Sequence, residues 1–133
     1  MSAVDFEAWA IQPLKITLRG RSFHVPPPQT AAAGKILAAA VRGEVNLGIV
    51  QGPVPDEVQT VLDSIEPGEH PALGSVYAEM LAAGIDETTV DRAAYYAVFY
   101  WARGKQYADS LAALLWAPRD LGEAGEGAGP KGS

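Results

Sequence analysis

The chain contains no cysteine, which excludes disulfides, zinc–thiolate sites and thiol nucleophiles. No apolar run approaches the ~18 residues that a membrane span needs. The first residues include Asp5 and Glu7, with no basic stretch leading into an apolar one, so no signal peptide is expected. These absences point to a soluble protein of a reducing cytoplasm, with no membrane partner. Only two histidines occur, His24 and His70, and neither stands at i, i+4 from a second histidine or a cysteine. The serines at 22, 64, 75 and 110 have no G-x-S-x-G context. Catalysis requires groups poised to attack, move protons or hold a metal. With none in sight, a protein that is not an enzyme and needs no cofactor is expected.

Charge is missing in a patterned way. Ala8 to Gly43 holds Lys15, Arg19, Arg21, Lys35 and Arg42 and no acid, whereas Glu44 to Asp91 holds ten acids and no Lys or Arg. Such segregation can steer a partner or draw the two halves of a chain together. The net charge of −6 argues against a nucleic-acid partner, because phosphate contacts need clustered cations. Three cations at Lys15, Arg19 and Arg21 are thin support for the opposite view.

What is present is ordinary globular composition, 48% hydrophobic and 20% charged over 133 residues, enough for one domain with a core of its own. Val4 to Ile11 is expected to form a short helix stopped by Pro13. Leu14, Ile16 and Leu18 alternate with polar residues, as do Phe23 and Val25, which predicts a hairpin with a turn at Gly20-Arg21. His24, out of step with Phe23 and Val25, should face outward. Pro26 to Pro28 form a stiff exit. Thr30 is a candidate N-cap for a helix ending at Gly43, and Glu44 to Pro55 reads as a loop. Asp56 or Glu57 opens a second helix with Val58, Val61, Leu62 and Ile65 on one stripe. A third carries Leu73, Val76, Tyr77, Met80 and Leu81, includes Gly74-Ser75, and stops at Gly84. Asp86 or Thr88 caps a fourth that runs to about Arg103. A fifth places Tyr107, Leu111, Leu114 and Leu115 together and ends at Pro118. The expected fold is mainly α: a small bundle of about five helices with an N-terminal hairpin over residues 1–118, and a disordered Gly-rich tail over 119–133.

The fourth helix is apolar on two sides. At ~100° per residue, Val90, Ala94, Ala97 and Trp101 fall on one side. Arg92, Tyr96, Phe99 and Arg103 fall on the other, with Tyr95 beside them. Such a helix is either central in the domain or buried on one face and docked to a partner by the other. Tyr, Phe and Arg are interface-forming residues, so Arg92, Tyr95, Tyr96, Phe99 and Arg103 are the candidate partner-binding residues. Gly127, Gly129 and Gly132 satisfy G-x-G-x-x-G formally, but no strand precedes them and no helix follows, so no dinucleotide site is expected.

In this order, LKITLRGRSFHVPPP, GSVYAEMLAAG, AAYYAVFYWARG and a last helix ending near Trp116 resemble the small tail assembly chaperones of long-tailed bacteriophages, particularly of actinobacterial hosts. The resemblance spans roughly residues 4 to 118 and includes no catalytic motif. It implies a protein that works in the host cell cytoplasm, binds the tape measure protein, helps tail tube protein polymerise around it and is not in the mature virion. It also implies a longer form made by ribosomal frameshifting near the end of the reading frame, a role the Gly129-Pro130-Lys131 codons could serve. A structural neck or tail-completion adaptor present in the virion is the alternative, and a homo-oligomer remains open under either.

Overall fold

The computed structural model describes residues 3–116. The expected tail, with its glycine pattern, lies outside them. Strands β1 (Leu14–Leu18) and β2 (Arg21–Val25) pair antiparallel, with Ile16 opposite Phe23 and Leu14 opposite Val25. The connecting loop is Arg19-Gly20, one residue earlier than the sequence suggested. Both residues have positive φ, 54° and 77°, as a two-residue type I′ hairpin turn requires. Glycine meets that demand at the second position without strain, and Arg19 accepts a left-handed backbone at the first. Leu14, Phe23 and Val25 are buried, and His24 is exposed as expected.

Five α-helices follow among the described residues: α1 (Thr30–Asn46), α2 (Asp56–Asp63), α3 (Val76–Ala82), α4 (Glu87–Arg103) and α5 (Lys105–Trp116). Gln29, not Thr30, is the N-cap of α1, and it makes no side-chain cap bond. α1 also passes through Gly43, so the expected loop from Glu44 begins only at Leu47. Gly43 is used for close approach instead of termination. A Cβ placed there would lie 2.9 Å from Cζ of Phe99 and 3.0 Å from the Tyr95 hydroxyl. α3 starts later than the apolar spacing implied, with Gly74-Ser75 in the turns that precede it; Gly74 has φ +56°. Its end is a Schellman motif, in which the Ile85 N–H donates to Met80 O and the Gly84 N–H to Leu81 O. Asp86 caps α4 by accepting from the Thr89 N–H at 3.0 Å.

The core has two parts, and α4 belongs to both. On one side Val90 and Ala97 join the hairpin residues Leu14, Phe23 and Val25, together with Ile36, Leu73, Val76 and Met80. On the other, Phe99 packs with Ala40, Ala108 and Leu111. α4 thus contacts α1, α3 and α5 and is the central helix of the bundle. Two stripe positions fall outside the core: Leu81 on α3 and Leu114 on α5 are exposed. The expected N-terminal helix is reduced to one 3-10 turn, Phe6–Trp9, capped by Asp5. A segment this short with no tertiary surface beneath it cannot offset the cost of helix nucleation.

Candidate functional site

The five residues singled out on α4 do not share one surface. Phe99 is 1% exposed and belongs to the core, so its side chain offers nothing to a partner. Its ring stacks on Tyr107 at 5.8 Å and meets Tyr95 edge-on at 5.1 Å. Helical projection placed Phe99 opposite Ala97 correctly, but it did not reveal that α1 and α5 cover that side too.

Arg103 is committed to the last turn of α1. Its Nε and one terminal nitrogen donate to the two carboxylate oxygens of Glu44 at 2.9 and 2.8 Å, and the Tyr107 hydroxyl donates to the same carboxylate at 2.7 Å. Glu44 is 4% exposed, the one buried charged residue among those described. The Arg103 bonds hold its carboxyl below the ordinary range, against the upward push of burial. Burial, with Glu44 second, raises the Tyr107 phenol. Sequence reading missed Glu44 because it fell in an expected loop. Tyr96 also turns toward α5, where its hydroxyl donates to Asp109 at 2.6 Å. Burial first, then Asp109, pushes that phenol up.

Arg92 and Tyr95 remain together. The Arg92 guanidinium lies 5.5 Å from the centre of the Trp116 ring, a cation–π distance. Tyr95 meets the same ring edge-on at 5.9 Å. Trp116, the last residue of α5, was not a candidate, because only the antiparallel return of α5 along α4 brings it here. Tyr95 lies between two depressions. The larger, about 590 Å³, runs between α1 and α4, with Arg42 and Asn46 on one side, Asp91 and Val98 on the other, and Ile65 and His70 closing it. The smaller, about 400 Å³, is lined by Arg92, Leu115 and Trp116, and it shares Asp91 and Tyr95 with the first. Asp91 accepts from the Tyr77 hydroxyl at 2.8 Å, and the Tyr77 ring stacks on His70 at 3.4 Å.

The ion pairs among the described residues use Arg19, Lys35, Arg103 and Lys105. Arg42 and Arg92 are in none of them. The cleft therefore offers aromatic and aliphatic walls, two guanidinium groups outside the ion pairs, Arg92 resting against the Trp116 ring, and the carboxylates of Glu69 and Asp91, suited to a segment bearing apolar side chains and charged groups. It presents no nucleophile paired with a base.

A family model described as a domain of unknown function (DUF7426) matches residues 4–131, and the chain belongs to that family. No curated protein and no solved structure matches it.

Proposed function

We propose that this protein is a bacteriophage tail assembly chaperone, a non-enzymatic module that binds the tape measure protein in the host cytoplasm while tail tube protein assembles around it. Two lines support this reading. One is the resemblance carried by LKITLRGRSFHVPPP, GSVYAEMLAAG and AAYYAVFYWARG. The other, on which the choice of site rests, is the double cleft around Tyr95 with Arg42 and Arg92 at its sides. An amphipathic helix lays apolar side chains into such a groove and orients itself by charge at the rim. Arg92, Tyr95, Arg42 and Trp116 are the residues proposed to make this contact; Phe99 supports it from beneath.

The test is co-expression with the long, helix-rich protein encoded nearby on a phage genome. The soluble fraction of that protein should rise several-fold. Arg92→Glu combined with Tyr95→Ala should remove most of the gain while leaving the circular dichroism of this chain unchanged. No gain with the unaltered chain would overturn the chaperone reading. Recovery of this chain in purified particles by mass spectrometry would favour a neck or tail-completion adaptor instead.

A further inference from the structure

Every residue from Ala3 to Pro13 is exposed. This arm nevertheless carries Val4, Phe6, Trp9 and Ile11, which are 72%, 63%, 66% and 69% exposed. Phe6 and Trp9 meet edge to face with centroids 5.3 Å apart, so the 3-10 turn presents them as a unit. A second apolar surface lies where the chain leaves α1 and passes α5. There Ile49 and Leu114, 52% and 79% exposed, line a groove of about 590 Å³ with Tyr107 and Leu111. Leu47 and Val50, also exposed, flank Ile49 in the chain. Six of the ten exposed large apolar side chains among the described residues lie on the arm or line the groove, and two more are chain neighbours of Ile49. Apolar area on that scale, gathered in two places, marks interaction surfaces.

We propose that the arm of one copy seats Phe6 and Trp9 in the Ile49–Leu114 groove of a second copy, which returns the contact and closes a two-fold dimer by arm exchange. The surfaces match in apolar character. The only charged side chain lining the groove, Arg103, is already paired with Glu44, so no unpaired charge need be buried when the groove is covered. Residues 117–133 contain a single large apolar residue, Leu121, too little to cover Ile49, Leu111 and Leu114. The area is also adequate. Four side chains of this size bury about 400 Å² per arm, so two arms and their matching grooves reach roughly 1,600 Å², the size of a stable interface. This proposal is independent of the cleft around Tyr95.

The experiment is sedimentation of the full chain over about 1–100 μM, a range that reads Kd values down to about 1 μM directly. A dimer is expected. Phe6→Asp/Trp9→Asp and, separately, Leu114→Asp or Ile49→Asp should each raise the apparent Kd at least about tenfold. Because these side chains are exposed, the melting temperature of the monomer should not change. An equimolar mixture of the arm and groove variants should form a heterodimer through one intact arm–groove contact, weaker than the wild-type dimer and tighter than either variant alone. A monomeric wild-type chain throughout this range overturns the proposal, as does a dimer indifferent to the arm substitutions. Loss with the arm variants but not with the groove variants places the arm elsewhere and overturns the pairing. Dimerisation only after removal of residues 117–133 would assign the groove to the tail. Failure of the chaperone assay leaves all of these outcomes unchanged.

Discussion

Gly43 and Glu44 stand next to each other and do opposite things to α1. Gly43 removes a side chain so that Phe99 and Tyr95 can press on the helix; Glu44 adds a charge that Arg103 and Tyr107 must satisfy. Gly43→Ala would gain about 1 kcal/mol in helix propensity. It must nevertheless displace the buried Phe99 ring, and overpacking of that kind costs about 1–3 kcal/mol. A net loss of stability in urea titration is expected. Glu44→Gln keeps an acceptor but loses the charge, and should cost about 1–2 kcal/mol at neutral pH. The depressed carboxyl of Glu44 also ties stability to pH. Its contribution is complete above the unfolded value near 4.5 and is lost as pH falls through the lower folded value. Asp86, drawn down to about 2 first by Arg19 and then by Thr89, acts in a lower window, with its contribution complete above 3.8 and lost towards 2. Thermal melts should therefore fall progressively as pH is lowered from 7 to 2, with Glu69 and Asp109, also drawn down by Lys35 and Lys105, adding to the loss. Glu44→Gln and Asp86→Asn should each make that fall shallower.

Among the elements, α4 decides the fold because both of its faces are buried. Phe99→Ala opens a cavity between α1, α4 and α5 and should cost about 3–5 kcal/mol, measurable by chemical denaturation. Phe99→Asp should prevent folding, which would distinguish a core residue from a contact residue directly. The presence and type of most elements were legible in the sequence, because period-two and period-3.6 patterns report which side chains lie together. Val90 and Ala97 on one face of α4, and the Asp86 and Gly84 boundaries beside it, were readable in this way. The limits of α1 were not. Glycine marks both helix ends and close helix contacts, and only the position of Phe99 shows which applies at Gly43. The site was half legible for the same reason: Arg92 and Tyr95 are neighbours on one helix, while Trp116 and Arg42 arrive from elements distant in sequence.

Across the whole molecule, the segregated charges do bring parts of the chain together. Arg19 on the hairpin turn pairs with Asp86 at the start of α4, and Lys35 on α1 pairs with Glu69, at 2.8 and 2.7 Å. Each pair joins the acid-free stretch to the base-free one. Lys35→Glu should lower the melting temperature, and the exchange Lys35→Glu/Glu69→Lys should recover part of the loss; salt should shrink the effect only in part, since the pair is partly buried. The carboxylate of Glu44 has a further consequence, in time instead of space. Its partners Arg103 and Tyr107 come 59 and 63 residues later in the chain. During synthesis from the N-terminus, α1 must therefore wait with an uncompensated acid until α4 is complete and α5 has begun. Closure of the domain thus waits for α5, which supplies both Tyr107 and the core residues Ala108 and Leu111.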